Sequence, residues 1–248
     1  MNFLEIVETA QKEFQKINPD VVYWANECRY VKRIVGDNDY LAGIMKSKPK
    51  SFQNAITDVA SLNLTLNPAL SYAYLVPRKG TICLDISYQG LLYIAQREKR
   101  IKKAFCDVVH ANDTFEFKGV MEPVVHSYDP FKDRGDKVGA WCSVLLSDDT
   151  WQSHVMTIKE IHDIRALSEA WKRMKEKSVW GKHPKAMELK TVIKQASKYW
   201  PKLEIENPML EKAIDISNKT DGFTEYESNA KDINKLLFEG EENVATES

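Results

Sequence analysis

Long hydrophobic runs are missing from this sequence of 248 residues. No stretch approaches the roughly 20 consecutive apolar residues that a transmembrane helix needs. Residues 1–6, MNFLEI, lack the charged and apolar regions of a signal peptide. We therefore expect a cytoplasmic protein that makes no contact with a membrane.

Cysteine is scarce and scattered, with four residues at positions 28, 83, 106 and 142. None of them forms a Cys-x-x-Cys pair, the spacing typical of zinc sites and redox centres. Cys83, Cys106 and Cys142 lie in apolar, strand-like runs. We interpret the cysteines as buried free thiols in a reducing cytoplasm.

The motifs of nucleotide-dependent enzymes are also absent. The sequence has no GxxxxGK[ST] loop and no GxGxxG after a strand, so ATP-driven strand exchange lacks its phosphate cradle. Two Trp-x-x-His pairs, Trp151–His154 and Trp180–His183, have no cysteine partners and no HExxH spacing for zinc. We expect neither a metal nor a cofactor.

Catalytic constellations are missing as well, because no segment combines a nucleophile, a base and an orienting group. A restriction-type nuclease would gather carboxylates around Mg²⁺ from an Asp and a later Glu-x-Lys on one strand. The nearest match, Glu188-Leu189-Lys190, lies in a segment predicted to be helical, and Asp148-Asp149 has the composition of a hairpin turn. The sequence therefore predicts a binding protein rather than an enzyme.

Charge is present in quantity but is distributed unevenly. The whole chain has a formal net charge of −1. Residues 159–202 contain twelve basic and five acidic side chains, a net charge of +7, whereas residues 203–248 contain four basic and twelve acidic ones, a net charge of −8. This order is typical of nucleic-acid-binding proteins, in which an acidic tail competes with phosphates or recruits a partner. A plain solubilising tail is the alternative.

The basic segment contains a helix with two different predicted faces. Pro184 suits its first turn, where the missing N–H costs nothing. At about 100° per residue, Lys190, Lys194 and Lys198 fall on one stripe. A rise of about 1.5 Å per residue then places successive lysines roughly 6 Å apart, close to the phosphate spacing of a nucleic-acid strand. Apolar residues gather opposite, at Leu189, Val192, Ile193, Ala196 and Trp200. We predict a phosphate-binding helix; an ordinary solvated face is the alternative.

The residue patterns predict an α+β fold, in which antiparallel β-sheets and hairpins are flanked by helices. Helices are expected at 2–17, 52–62 and 88–97 and through most of 157–200, and strands at 72–76, 81–86, 101–110, 114–117, 123–128, 139–146 and 150–156. Ser87 is an expected N-cap, and Thr157 and Glu160 form a capping box. The segment 18–50 has no clear assignment. We divide the chain into a main domain, 1–203, and an acidic, partly disordered C-terminal tail, 204–248, with a short amphipathic piece at 233–238.

Two separated motifs resemble those of a known family. The first is Leu64–Pro77, LTLNPALSYAYLVP, followed by an apolar strand and by Tyr88–Ala95, YQGLLYIA. The second comprises Trp180 and Met187–Ile193, MELKTVI. Together they resemble the core of the RecT/Red-beta group of phage and prophage single-strand annealing proteins, and the resemblance covers residues 40–203.

The resemblance implies ATP-independent annealing of complementary DNA strands by a homo-oligomer, a ring or a helical filament. A positively charged groove would hold the first strand with its bases accessible, and the incoming strand would pair there. Residues 1–203 would then bind DNA, anneal it and oligomerise, with the N-terminal helix and residues 18–50 as contact surface. The resemblance also implies a partner exonuclease and the host single-strand-binding protein, and residues 204–248 are a candidate docking site for either.

Nine residues are our candidates for contact with single-stranded DNA and the annealed duplex. Lysine neutralises phosphates without reading sequence, and tyrosine can stack on a base. The candidates are Arg78, Lys79, Tyr88, Gln89, Lys182, Lys185, Lys190, Lys194 and Lys198. For Tyr88 the alternative is a core position, and for Arg78 and Lys79 it is an exposed turn. The family often has Lys in place of Gln89 and an acid in place of Lys185, so these contacts could differ here. Trp180 and Trp200 are expected to be core anchors.

Two functions from other classes compete with annealing. A DNA-processing nuclease would cleave DNA in the presence of Mg²⁺, although the sequence offers no carboxylate cluster. A non-catalytic adaptor would use its basic face to bind an acidic protein partner. The adaptor would show little affinity for DNA and no strand pairing.

Overall fold

The computed structural model describes residues 3–202 and 208–221. Its N-terminal part consists of four helices: α1 (Phe3–Ile17), α2 (Val21–Gly36), α3 (Asp39–Ser47) and α4 (Pro49–Leu62). Helices α1 and α4 confirm the predictions, and α2 and α3 occupy the segment without an assignment. Side-chain caps define where these two begin, since Asp20 accepts from the N–H groups of Val22 and Tyr23 and Asn38 accepts from that of Leu41.

A hairpin and a helix follow, as predicted. They are strands β1 (Ala73–Arg78) and β2 (Thr81–Ile86) and helix α5 (Tyr88–Arg97). Lys79 and Gly80 both have positive φ, 47° and 70°, the combination found in type I′ turns, whose twist matches that of paired strands. Ser87 caps α5 by accepting a hydrogen bond from the Gly90 N–H.

The middle of the chain forms two antiparallel sheets. Their strands are β3 (Ile101–His110), β4 (Thr114–Glu116), β5 (Val125–Ser127), β6 (Lys137–Leu146) and β7 (Trp151–Thr157). The larger sheet has the order β3–β6–β7, while β4 pairs with β5. Ala140, Cys142 and Val144 alternate along β6, share one face and are buried. Helices from the C-terminal part of the chain pack against this strand.

Five described helices make up the C-terminal part. They are α6 (Ile158–Leu167), α7 (Glu169–Met174), α8 (Val179–Lys182), α9 (Pro184–Ala196) and α10 (Met209–Asp221). The predicted capping box starts α6, because Thr157 Oγ1 accepts from the Glu160 N–H and the Glu160 carboxylate accepts from the Thr157 N–H. Short 3₁₀ turns occur at Lys175–Lys177 and Ser197–Tyr199. The region predicted to be mostly helical thus contains four separate helices, α6 to α9.

Helix α9 lies at the centre of the fold. It packs against the three-stranded sheet and against α5 and α6. All seven residues from Met187 to Ile193 are buried. Trp180 and Trp200, each 3% exposed, join the same core, as predicted. Between Met187 and Ile193, α9 therefore presents no polar face to solvent.

Helix α10 packs on the main body although it follows residue 203. The guanidinium of Arg100, which is 1% exposed, meets both carboxylate oxygens of Glu211, at 2.6 and 2.5 Å. Leu210 and Ala213 are fully buried. The division of the chain at residue 203 stays a prediction, but residues 209–221 are part of the folded core.

The architecture confirms the predicted α+β class, with antiparallel sheets flanked by helices. The expected disordered part of the tail after residue 221, including the piece at 233–238, lies outside the described residues. The cysteines are free thiols, and Cys142 is buried, whereas Cys28, Cys83 and Cys106 are half-buried rather than fully buried as expected. No described helix is both long and apolar enough to span a membrane.

Candidate nucleic-acid interface

A cavity of about 290 Å³ opens beside the turn of the β1–β2 hairpin, and we call it the hairpin-tip cleft. Its walls are the hairpin, α7 and the end of α10. Thr81 and Cys83 of β2 are among its lining residues. Its cationic side chains are Arg78, Lys79, Arg173 and Lys219. Three separate parts of the chain therefore place positive charge around one cavity.

Positive charge exceeds negative charge in the hairpin-tip cleft. Glu169 is the acid among its described lining residues, and its oxygens lie 3.6 Å from Lys172 Nζ and 3.7 Å from Arg173 Nε. Lys219 pairs with Asp215 one turn earlier on α10. The Arg173 and Lys219 side chains are 66% and 62% exposed. Exposed pairs of this kind contribute at most about 1 kcal/mol, so both cations can still bind another anion.

A further cation stands close to the turn of the hairpin. The Ile82 N–H donates to Ser51 Oγ at 3.1 Å, which holds the start of α4 against β2. Lys48 lies immediately before α4, and its Nζ is 3.6 Å from the position that a Cβ on Gly80 would occupy. The N-terminal helices thus add positive charge at the same end of the hairpin.

A second cavity, of about 340 Å³, lies between the starts of α5 and α9, and we call it the α5–α9 pocket. It is lined by Tyr88, His183, Pro184, Lys185, Ala186 and Leu189. Both helices begin here for local reasons, since Ser87 caps α5 and Pro184 occupies the first turn of α9. Two candidate DNA contacts far apart in sequence, Tyr88 and Lys185, thus share one pocket.

Burial and charge define the chemistry of the α5–α9 pocket. Burial raises the pKa of the Tyr88 phenol above its ordinary value, so the phenol is neutral at neutral pH. Lys185 Nζ lies 2.6 Å from Asp107 Oδ1, and the lysine side chain remains 58% exposed. Burial acts to raise the pKa of Asp107, but the bond from Lys185 and other donors holds that pKa below its usual value. The pocket offers a half-buried aromatic ring beside a partly neutralised cation.

One face of the hairpin begins at the hairpin-tip cleft and ends beside α9. Arg78, Thr81, Cys83 and Asp85 share this face, because alternate residues of a strand lie on the same side and Arg78 pairs with Thr81. Asp85, at the far end of the face, binds Lys190 of α9. This ion pair therefore joins β2, which lines the first cavity, to α9, the helix that begins at the second.

The predicted stripe of exposed lysines is wrong. Lys190 is 4% exposed and its Nζ lies 2.7 Å from Asp85 Oδ1, so it belongs to the core. Lys194 is half-buried on α9, and Lys198 is exposed but lies in the 3₁₀ turn that follows the helix. The prediction failed because it assumed that one face of α9 meets solvent, whereas α9 is enclosed by other elements.

The other candidates fall into two groups. Arg78 and Lys79 lie together at the hairpin-tip cleft. Tyr88 and Lys185 lie together in the α5–α9 pocket, whereas Gln89 is exposed on α5 and Lys182 is exposed at the end of α8. Lys194 and Lys198 are not among the described lining residues of either cavity. DNA contact by any of these residues stays a prediction.

The sequence-based candidates omitted two cations that line the hairpin-tip cleft, Arg173 and Lys219, and a third, Lys48, that lies beside Gly80 in the turn. Arg173 was counted in the basic segment but was not singled out. Lys48 and Lys219 carry no local signal, and Lys219 lies in the acidic part of the sequence. Their position depends on the packing of α4, α7 and α10 around the hairpin.

Metal ligands are not clustered in the part of the chain that the structure describes, where no three His, Cys, Asp or Glu side chains are grouped to hold an ion. His154 lies in β7 and stacks on Tyr199, with ring centroids 5.9 Å apart. His183 precedes the first turn of α9. Each histidine therefore has a local structural position.

The part of the chain that matches known proteins includes both cavities. The model of the RecT family matches residues 25–225. The chain belongs to the RecT family. Protein RecT of Escherichia coli strain K12 is 30% identical over 178 residues, which cover 68% of this chain and 63% of that protein. The uncharacterized protein YqaK of Bacillus subtilis strain 168 is 25% identical over 187 residues, covering 72% of this chain and 63% of its own length. The chain thus spans less than two thirds of either relative.

The RecT-family match includes every described residue of the hairpin-tip cleft and of the α5–α9 pocket. It begins inside α2 and continues beyond the end of α10 at Asp221. The family region therefore contains α10 with its Lys219, in agreement with the packing of this helix on the main body.

Proposed function

We propose that this RecT-family protein binds single-stranded DNA and anneals it to a complementary strand, without ATP and as a homo-oligomer, in homologous recombination of the phage type. The observation that carries the proposal is the convergence of Arg78, Lys79, Arg173 and Lys219 on the hairpin-tip cleft. Two DNA strands repel each other through their phosphates. A protein that brings them together must first neutralise part of that charge.

The hairpin-tip cleft suits a DNA backbone rather than a particular sequence. Arg and Lys side chains contact phosphate oxygens, and such contacts position a strand without reading its bases. The base edges then stay accessible for pairing with an incoming strand. If the four cations each neutralise one phosphate, log K falls with log salt at a slope of about −0.7 × 4 ≈ −3 for a single strand.

The α5–α9 pocket suits a base next to that backbone. The Tyr88 ring is half-buried and neutral, which leaves a π-face for stacking. Base–aromatic contacts are worth about 1–3 kcal/mol per base. Lys185, 58% exposed despite its pair with Asp107, can reach a neighbouring phosphate. The DNA backbone would then be held in the hairpin-tip cleft and a base in the α5–α9 pocket.

The proposal includes assembly and partners. The N-terminal helices expose large apolar side chains, among them Leu4, Val21 and Val22 at 62%, 65% and 70%, and such surfaces mark protein contacts. We assign them to contacts between subunits of a ring or filament. An exonuclease that generates the single strand and the host single-strand-binding protein are the proposed partners of the acidic C-terminal residues. No covalent step is part of this function, so the protein would not act as an enzyme.

Binding of a labelled oligonucleotide, followed by fluorescence anisotropy over a series of salt concentrations, tests the site. Replacing Arg78, Lys79, Arg173 or Lys219 singly by Gln should weaken binding uniformly across sequences and reduce the salt slope by about 0.7 each. Lys132→Gln is the matched control, because Lys132 is 80% exposed and lines neither cavity. Four variants that bind like the control would remove the hairpin-tip cleft from the DNA site.

Pairing of two complementary oligonucleotides, added in sequence without ATP and followed by fluorescence transfer, tests the activity. Pairing faster than without protein, with both strands held in a large complex, is the expected result. A folded protein that gives no acceleration at low salt would favour the adaptor. Cleavage that depends on Mg²⁺ would favour the nuclease.

A further inference from the structure

The end of α10 forms part of the hairpin-tip cleft. Lys219 and Thr220 line the cavity, and Thr220 Oγ1 donates a hydrogen bond to the Leu84 carbonyl oxygen at 3.0 Å. This bond fixes the last turn of α10 on β2. Helix α10 ends at Asp221, so the chain continues toward its C-terminus from the edge of the cleft.

The chain that continues from this point is acidic. Residues 222–248 contain seven acidic and two basic side chains, a net charge of −5. The first six of them, GFTEYE, place Glu225 and Glu227 beside two aromatic residues. The cleft has the complementary composition, with cationic side chains and an apolar part that includes Pro77, Ala170 and Met174.

We propose that residues 222–227 dock in the hairpin-tip cleft of their own chain, with Glu225 and Glu227 on its cations. The reach is sufficient, because Glu225 follows Asp221 by four residues and an extended chain spans up to about 14 Å over that length. Individual exposed ion pairs are weak. Covalent attachment offsets this, since a short connection gives the segment an effective concentration on the order of millimolar.

The docked segment acts as an internal competitor for DNA. Carboxylates and phosphates use the same cations, so a strand must displace the segment before it binds. A strand that makes several phosphate contacts at once releases counterions from each, and it therefore displaces the segment more readily than a short anion does. This competition rests on the proposed function, whereas docking of the segment does not.

The accessibility of Cys83 tests docking without DNA, because this half-buried thiol lines the cleft. The full-length protein is alkylated with iodoacetamide and the modified peptides are quantified by mass spectrometry, with Cys28 as the internal reference. The double variant Glu225→Gln/Glu227→Gln should raise the Cys83 rate several-fold. Glu241→Gln/Glu242→Gln, which removes the same charge farther along the chain, should leave it unchanged.

Equal Cys83 rates in the wild type and in Glu225→Gln/Glu227→Gln would overturn docking. Equal increases in both double variants would overturn the assignment to residues 222–227. Protection that is lost on dilution would place the segment in the cleft of a second copy and overturn docking within one chain.

Affinity for a labelled oligonucleotide at low salt then tests the competition. Glu225→Gln/Glu227→Gln should bind several-fold more tightly than the wild type, and Arg173→Gln/Lys219→Gln should abolish that gain. If the Cys83 rate rises but the cleft variants bind DNA normally, docking stands and the proposed DNA site fails. If the cleft variants weaken DNA binding but the Cys83 rate is constant, the DNA site stands and docking fails.

Discussion

Lys190 and Asp85 form an ion pair inside the protein, with Lys190 Nζ 2.7 Å from Asp85 Oδ1 and side chains that are 5% and 12% exposed. The pair joins α9, which begins at the α5–α9 pocket, to β2, which lines the hairpin-tip cleft. Charges removed from water are stable only when geometry and partners offset the loss of hydration. Lys190 therefore pairs within the interface between α9 and β2 instead of facing solvent.

Replacing Lys190 by Met should destabilise the protein by about 3–5 kcal/mol, because Asp85 would remain buried without its cation. The double variant Lys190→Met/Asp85→Leu should recover most of this loss, since well-packed apolar residues often replace a buried ion pair at little cost. Urea unfolding measures both. A stable Lys190→Met variant with weakened DNA binding would instead return Lys190 to the DNA surface.

The prediction of an exposed lysine stripe was wrong because it depended on side-chain partners that lie far away in the sequence. Glu188 and Lys190 look like solvent-facing residues on α9, yet both are buried and paired with strand residues. The Glu188 carboxylate accepts from Lys137 Nζ at 2.8 Å, and Lys190 donates to Asp85. These partners are 51 and 105 residues away along the chain. Hydrophobic periodicity reports local amphipathicity and cannot register such distant partners.

Local signals predicted the hairpin, α5 and the strands well, because turn residues, caps and strand alternation act over a few residues. Helix α2 was missed where a buried acid interrupts the apolar repeat of Trp24, Val31 and Val35. That acid, Glu27, is 1% exposed and accepts hydrogen bonds from Thr65 and from the backbone N–H of Leu66. The sequence indicated Arg78 and Lys79 because they lie in a turn, which is a local feature. It did not predict the hairpin-tip cleft itself, because the cleft forms only where α7 and α10 pack beside that turn.

Truncation should separate the packed helix α10 from the residues that follow it. Ending the chain after residue 203 removes Glu211, which leaves the buried guanidinium of Arg100 paired with Glu98 alone. It also removes the buried Leu210 and Ala213, and we expect a total loss of roughly 3 kcal/mol or more. Ending it after Asp221 keeps every described element and should leave the stability unchanged. Thermal unfolding of both proteins against the full chain is the measurement. Equal melting temperatures would support the domain boundary predicted at residue 203.

Two glycines on helices should respond to alanine in opposite directions. A Cβ at Gly90 would overlap the backbone oxygen of Tyr72, so Gly90→Ala must displace α5 from the backbone that immediately precedes β1. We expect a loss of about 1–3 kcal/mol or more from this overpacking. Gly43 on α3 has no atom within 4 Å of the corresponding position, and Gly43→Ala should stabilise by about 0.5–1 kcal/mol. Urea midpoints that shift in the same direction would contradict this contact.

Asp113 should make stability depend on pH in the acid range. The Arg134 guanidinium, together with the N–H groups of His110 and His126, holds the pKa of this buried carboxyl well below its usual range. The unfolded chain then binds more protons, so the stabilisation is complete above an unfolded pKa of about 3.9 and is lost as the pH falls toward the folded pKa. Asp113→Asn should therefore be much less stable than the wild type at pH 7 and approach it below about pH 4.

Urea unfolding at pH 7, 5 and 3 measures this difference. Asp163→Asn is the matched control, because Asp163 is 65% exposed in its pair with Lys159 and should change stability little at any pH. A gap between wild type and Asp113→Asn that stays constant from pH 7 to pH 3 would show that the carboxyl does not titrate abnormally.

Tyr88 should contribute to DNA binding through its ring rather than through charge. Tyr88→Phe keeps the stacking surface and should bind an oligonucleotide nearly as well as the wild type. Tyr88→Ala should weaken binding by about 1–3 kcal/mol, while the salt slope stays the same because no phosphate contact is lost. Tyr40→Ala, at a 63% exposed tyrosine outside both cavities, is the control.

Unfolding of each Tyr88 variant is measured in parallel, since Tyr88 is half-buried. A Tyr88→Ala protein that is folded and binds with unchanged affinity would show that no base stacks in the α5–α9 pocket, whereas a reduced salt slope would mean that the substitution acts through Lys185.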